Sequence, residues 1–466
     1  MRTGLLVVHR ETICTEGAAY VVEEVHKTRD APPQPDELMA DSGSRHAPTP
    51  GVTASAVPVN AGRAAADLRS LLWRNNLLSF LSSTAWFIAT PFIPLYLASL
   101  GASVVLVGVI IGGSAIIPLL LSIPAGGLVD ERGPKLVAKG SVILFAVAGA
   151  ILTGLHTVWA VAIAYALMGI ANIGFAVAPH TVVASASDPT ARVQNYGYNF
   201  LWSSVGAMIG PVTGGVIVGR FGYPAAFALV WLLMLPAFGI AASLYRVSAV
   251  PRPPVSLATA YRFAGTIVRQ PGVGAIMFIS FMVVCGQTLK QSFYPIYLDK
   301  VGLSATLIGI AFAADSLSSM LVRSLLSRSV ARFGYASLLI GATTLAAVAL
   351  GVTPLLRQFW PLVLISGLMG ASTGIAQPLT MTLMVDSVAS EVWGVAIGIR
   401  QSVQRLAAIV SPVVFGLAIT VYGIESAFFL GALTLAGAVP IMTRVTGHLR
   451  RTHVEPSEPT VPPISR

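Results

Sequence analysis

Asp315 lies near the middle of an apolar run, and no other acidic side chain sits well inside any such run of this chain. A charge at bilayer depth costs about 2.5–3.5 kcal/mol on insertion scales, so each one asks for a function or a partner. A carboxylate there suits reversible protonation. The alternative is a structural ion pair with Lys290 or Arg400. Gln287, Lys290, Gln291 and Tyr294 recur at i, i+3, i+4 and i+7, which places them on one polar helix stripe. Lys290 stands toward one end of its run, where snorkelling to the surface is the competing role. Arg400, Gln401, Gln404 and Arg405 cover about 140° of another helix surface. Arg400 is close enough to a helix end to serve only as a topology anchor, whereas Arg405 is deeper. Stripes of this kind can hold a polar solute.

Neutral candidates occupy the first half: Trp86 and Thr90, Asn172, and Asn195, Asn199 and Trp202. Aromatic residues in such positions more often pack than bind. His180 reads as a helix-end residue more readily than as a proton carrier. No His-Glu-x-x-His, Gly-x-Ser-x-Gly, paired membrane aspartates or cysteine–histidine arrangement occurs. The two cysteines, Cys14 and Cys285, have no metal-ligand spacing. The expectation is a protein that is not an enzyme and that uses no cofactor and no metal.

The elements that position these groups follow from composition. Only 10% of the 466 residues are charged, against about 25% in a soluble domain, and the mean hydropathy is +0.77. A chain this poor in charge is a polytopic membrane protein in contact with the lipid bilayer. The net charge of +10 belongs to loops between apolar runs, so no nucleic-acid partner is expected. Runs long enough to cross a bilayer fall at 77–99, 104–127, 137–156, 158–180, 194–219, 223–245, 272–298, 304–326, 335–354, 359–383, 394–421 and 424–445. Twelve crossings put both termini on one side. Placing them inside leaves only Arg220, Lys300 and Arg357 among the Lys and Arg of the outer segments. That asymmetry predicts cytoplasmic termini in a plasma or inner membrane.

The organisation expected is a disordered cytoplasmic tail over 1–66, a six-helix bundle over 67–245, and a cytoplasmic linker with an amphipathic helix over 246–271. A second bundle over 272–446 and a disordered tail over 447–466 complete it. The two bundles repeat. Shifting the sequence by 201 residues lays "FIPLYLASLGAS" on "FYPIYLDKVGLS" and matches Gly108 with Gly309, Gly133 with Gly334, Pro211 with Pro412 and Gly215 with Gly416. The same shift aligns Asn199 with Arg400. An even number of spans per half makes the repeats parallel.

Two motifs sharpen this picture. "GGLVDERGPK" carries Gly126, Asp130, Arg132, Gly133 and Lys135 in the loop between spans 2 and 3. "GAMIGPVTGG" carries Gly206, Gly210, Pro211, Gly214 and Gly215 in span 5. Its glycines every four residues open a flat face for close helix contact, and Pro211 removes a backbone donor. In these motifs the chain resembles major facilitator superfamily transporters, most of all the 12-span drug/proton antiporters that export their substrates.

The resemblance implies an all-α polytopic fold of 12 transmembrane helices in two pseudo-symmetric six-helix bundles. It implies a monomer with a small-molecule substrate and protons as the coupling ion. It gives Asp130 the task of closing the cytoplasmic side against the start of span 11. The departures are Glu131 and Pro134 at basic positions of the loop motif, and Tyr165 where such antiporters carry a span 4 arginine. No acidic residue lies within spans 1–6. The function expected is proton-coupled export of a small amphipathic or partly anionic organic solute by alternating access. The alternative is uptake or facilitated exchange of a polar metabolite.

Overall fold

The structure is a computed structural model, and the described residues are 8–15, 18–25, 59–121, 133–187, 191–244, 272–388 and 393–452. Residues Met1–Pro58 form one unit and Val59–Arg466 another. In the first unit, β1 (Val8–Thr15) and β2 (Ala18–Val25) pair antiparallel, with Val8 opposite Val25 and Thr15 opposite Ala18. Both strands and the start of the first helix fall within the stretch 1–66 expected as a tail, most of which lies outside the described residues. Val, Ile, Thr and Tyr favour an extended chain in β1 and β2, and the first helix begins at Val59. The amphipathic helix expected over 246–271 lies outside the described residues. The last helix continues to Thr452, beyond the end expected for the second bundle.

The second unit is all-α. Its described helices that are long and apolar enough to cross a membrane are Ala66–Ser99, Val104–Leu121, Pro134–Gly154, Val158–Ala186, Gln194–Phe221, Tyr223–Ser243, Val273–Lys300, Ala305–Leu355, Phe359–Met384, Ala396–Tyr422 and Ile424–Thr443. Eleven segments make twelve crossings because Ala305–Leu355 contains two. At ~1.5 Å per residue its 51 residues would run to ~76 Å, more than twice the ~30 Å hydrocarbon core. Gly334 (φ 76°, ψ 160°) breaks it into spans 8 and 9. Packing requires the return. A Cβ at Gly370 or Gly374 of span 10 would strike the carbonyl oxygen of Asp315 or Ser319 of span 8. Both contacts keep one sequence offset, so spans 8 and 10 run parallel and the chain between them must cross back.

The internal repeat is legible in the backbone. Ser103 and Ser304 cap spans 2 and 8 with φ of −63° and −64°, accepting from the amides of Leu106 and Leu307. Gly133 (φ 80°) and Gly334 (φ 76°) start spans 3 and 9, a conformation that costs any residue with a Cβ. All these pairs are 201 residues apart. Gly133 in the span 2–3 motif is thus explained by its own backbone.

The two halves meet through the same symmetry. A Cβ on Gly108 of span 2 would clash with the Pro412 carbonyl oxygen of span 11, and one on Gly309 of span 8 with that of Pro211 of span 5. Gly416 faces the Val104 carbonyl and Gly215 that of Ala305. Each contact maps onto the other under the shift. Among the described glycines, the close approaches between halves run from the end where the even-numbered spans begin to mid-span, where a Cβ on Gly112 would come within 2.5 Å of the Ile409 carbonyl oxygen. Exposed aromatics ring the end where the even-numbered spans begin: Trp159 (70% exposed) and its repeat mate Trp360 (74%), with Phe221 and its mate Tyr422. This is the belt that marks a bilayer interface.

Within the first half, Gly206, Gly210 and Gly214 ride on the carbonyls of Phe80, Thr84 and Ile88, where a Cβ would come within 2.6–2.8 Å. The span 5 motif therefore seats span 5 on span 1 with one face and, through Pro211 and Gly215, on span 8 with another. In a bilayer, where apolar surface alone gives little drive between helices, such close backbone approach supplies the packing.

Candidate functional site

Below the tight end, the two halves diverge around a cavity of about 470 Å³. Spans 1, 4 and 5 supply Ser79, Ser82, Ser83, Trp86, Phe87, Asn172, Phe175, His180, Asn199, Phe200 and Ser203. Spans 7, 10 and 11 supply Gln287, Thr288, Gln291, Gln377, Gln401, Gln404 and Arg405. One wall is aromatic and hydroxylic and the other is built of amides with a single guanidinium. The size falls within the range typical of small-molecule sites.

The structure brings together Trp86, Asn199, Gln287, Gln291, Gln401, Gln404 and Arg405 of the residues singled out by sequence. Asn199 is nearly fully buried and donates from Nδ2 to Asn76 Oδ1 (3.1 Å) and Ser79 Oγ (2.9 Å). Trp86 stacks on Tyr165 with ring centroids 6.4 Å apart. An aromatic pair thus occupies the place where the antiporters carry a cation on span 4. Thr90 does not reach the cavity, because its hydroxyl donates to the Trp86 carbonyl of its own helix (2.7 Å).

Lys290, Asp315 and Tyr294 also stand off the cavity wall. Lys290 Nζ and Asp315 Oδ1 form an ion pair between spans 7 and 8. The Lys290 side chain is 6% exposed, its ammonium lies 5.5 Å from the Phe312 ring centroid, and the Asp315 side chain is 24% exposed. Tyr294 is fully buried and donates to the Leu362 carbonyl (2.8 Å). A void of about 30 Å³ inside the second half is lined by Lys290 and Gln287, and Gln287 also lines the cavity.

Arg400 is buried behind the wall rather than in it (4% exposed). Its Nη2 donates to the Gln377 carbonyl (3.1 Å), to Gln377 Oε1 (2.9 Å) and to Thr380 Oγ1 (2.9 Å). Gln377 Oε1 also accepts from Gln404 Nε2 (3.0 Å), and its Nε2 donates to Gln287 Oε1 (3.2 Å). Gln377 is the hub of this network and was not singled out by sequence. It lies at i+4 from Thr373 and three residues before Thr380, on one face of span 10 whose other polar members are hydroxyls. The signal available was a glutamine directly before Pro378 in an apolar run.

Arg405 has no hydrogen-bond or ion-pair partner among the described residues. It is the one Lys, Arg, Asp or Glu among the described residues of the cavity wall. His180 lines the wall between the rings of Tyr196 (5.7 Å) and Phe200 (5.3 Å), so its side chain is placed in the site. Asn195 instead donates to Ser187 Oγ (2.9 Å), and Trp202 packs edge-on against Trp73 (4.9 Å). Gly126, Asp130 and Arg132 lie outside the described residues. Lys135 sits half-buried in the first turn of span 3.

Comparison with known proteins agrees with this geometry. The sequence pattern of the Major Facilitator Superfamily matches residues 76–289 and 276–464. The multidrug resistance protein MdtG of Enterobacter lignolyticus is 22% identical over 380 residues, covering 78% of this chain and 90% of the relative. MdtG of Salmonella paratyphi C is likewise 22% identical, covering 77% and 92%. The fold superposes on the nucleoside transporter NupG with a TM-score of 0.69 at 14% identity, covering 81% of this chain and 99% of that one. It superposes on a POT family transporter in complex with 5-aminolevulinic acid with a TM-score of 0.69 at 12% identity, covering 81% and 96%. A duplicated twelve-crossing architecture with a cavity shared by its two halves, matched over most of its length by that pattern, makes this chain a multi-pass membrane transporter of the Major Facilitator Superfamily.

Proposed function

We propose that the protein is a proton-coupled exporter of a small amphipathic or partly anionic organic solute, working by alternating access as a monomer in the plasma or inner membrane. One observation carries the reading: both halves line a single cavity, and their symmetric close contacts lie at one end of it. Rocking the halves about that cavity exposes it to one side at a time. The Lys/Arg bias favours cytoplasmic termini, an orientation in which the tight end faces outward and the cavity opens inward. Asp315 is the proton carrier in this scheme. A proton entering from outside neutralises its carboxylate and releases Lys290, and loss of that proton to the cytoplasm restores the ion pair. Names of relatives such as MdtG support export.

The test is counterflow and gradient-driven flux in proteoliposomes, with and without a pH gradient. Uphill flux that needs the gradient and disappears in an Asp315→Asn, Lys290→Met variant supports the reading. Equal flux without a gradient would overturn proton coupling. Facilitated exchange of a polar metabolite is the second reading, favoured by the amide-rich wall and by Asp315 being held off it.

A further inference from the structure

We propose that the transported solute is an organic carboxylate, its head group gripped by Arg405 and its planar apolar body laid against the aromatic wall of Trp86, Phe87 and Phe175. This rests on the transport reading above and names the substrate class that the cavity selects.

The argument begins with charge. Arg405 faces the cavity with no partner among the described residues. A guanidinium removed from bulk water is costly unless an anion or a set of acceptors compensates it. Among the described residues, no carboxylate lines the cavity beside it. Spans 1–6 contain no acidic residue, so the opposite half brings no membrane-embedded carboxylate to it. Asp315, the one acidic residue well inside the second half's spans, is held by Lys290. Arg400, a second guanidinium, lies behind the same wall and is met only by neutral acceptors. The field at this wall is therefore positive, and the missing counter-charge belongs to the ligand. The planar fork of an arginine matches a planar carboxylate with two parallel hydrogen bonds.

The rest of the cavity specifies the rest of the ligand. Under the 201-residue repeat, Trp86 corresponds to Gln287 and Arg405 to Ser204. One half thus presents rings where the other presents amides and a cation. A solute with one apolar face and one anionic end satisfies both walls. A cation meets repulsion, and a small hydrophilic anion leaves the rings uncovered. Stacking on Tyr165 fixes the Trp86 ring, and a bond to Gln377 orients Gln404, so both walls are preformed.

The experiment measures binding to the purified full chain by tryptophan quenching and thermal shift, using three probes that share one ring system: 2-naphthoate, 2-naphthamide and 2-naphthylmethylammonium. Naphthoate is expected to bind about 10- to 100-fold more tightly than naphthamide, as a charge-assisted pair warrants, with the ammonium weakest. Arg405→Gln should erase the preference while keeping naphthamide binding. Arg405→Lys, as a folded control that retains charge, should keep part of it. Trp86→Ala should weaken naphthoate and naphthamide together. The proposal is overturned if the three probes bind equally, if none binds, or if Arg405→Gln keeps the preference. Counterflow of naphthoate in proteoliposomes separates the two readings. Charge-selective binding without counterflow defeats the transport scheme and leaves the ligand class standing. Counterflow with no head-group preference does the reverse.

Discussion

Gly108 and Gly309 are the sharpest places to perturb the conformational cycle. Each lacks room for a methyl group because a proline carbonyl of the opposite half, Pro412 or Pro211, occupies the space. The obstacle is backbone, so it cannot rotate away, and the two halves must separate at that end. Forcing a methyl into a packed contact costs about 1–3 kcal/mol. Only the state in which these ends touch pays that cost, so the equilibrium between rocking states moves by about 5- to 150-fold toward the state open at this end. Gly113→Ala is the control, since nothing lies within 4 Å of a Cβ there and the gain in helix propensity is common to both states. The assay uses a chain with Cys14 and Cys285 replaced by serine and a single reporter, Ser203→Cys, on the cavity wall. An impermeant maleimide is applied to vesicles of each orientation. Gly108→Ala and Gly309→Ala should each raise labelling from the Trp159/Trp360 side and lower it from the other, by similar factors because the contacts are symmetry mates. Unchanged labelling in both, or an equal change in Gly113→Ala, would refute the hinge geometry.

Other substitutions follow from the same contacts. Asp315→Asn leaves Lys290 buried without its counter-ion, so stability should fall by about 3–5 kcal/mol. Asp315→Asn with Lys290→Met should recover most of that loss in a thermal denaturation series, while gradient-driven transport stays absent. Arg400→Gln removes three charge-assisted donations to Gln377 and Thr380. It should lower stability by about 1.5–3 kcal/mol and loosen solute binding through Gln404 and Gln287, with Arg400→Lys recovering part of both. Asp130→Asn should raise the inward-open population if the loop carboxylate meets the start of span 11, where such a contact is worth about 0.3–1 kcal/mol. Unchanged cytoplasmic accessibility of Ser203→Cys would remove that role.

Much of this fold was legible in the residues because membrane packing is written in glycine and proline. Gly334 marked a loop by repeat alignment alone, and it is the residue whose backbone splits a 51-residue helical segment into two crossings. The amide stripe of Gln287 and Gln291 and the Gln401–Arg405 face were visible because helical spacing reveals a face. Depth and direction were less legible. Lys290 shares a stripe with Gln287 and Gln291, yet it turns into the second half to meet Asp315, a long-range pairing that spacing on one helix cannot encode. Arg400 and Arg405 were told apart only by depth, the first close to a helix end and the second deeper. Contact with span 10 separates them, burying the first against Gln377 and leaving the second in the cavity. Gln377 was announced only by Thr373 and Thr380 at helical spacing, small hydroxyls that more often bond their own helix backbone than mark a site.

Setting the two halves against each other separates motion from chemistry. Positions that agree across the repeat form turns, caps and the close contacts between the halves: Gly101 with Gly302, Ser103 with Ser304, Gly108 with Gly309, Pro211 with Pro412. Positions that disagree carry charge or bind: Ala89 faces Lys290 across the repeat, Ser114 faces Asp315, Ala176 faces Gln377, Asn199 faces Arg400 and Ser204 faces Arg405. Rocking needs equivalent surfaces, because each half must roll on the other with the same geometry. A coupled transporter needs non-equivalent ones, because a charge on one half can bias the cycle only if the other half does not mirror it. The second half holds the lysine, arginines and aspartate at depth, and the first supplies rings and neutral amides. In the proposed cycle, motion is therefore shared between the halves, while recognition of charge falls to spans 7, 8, 10 and 11.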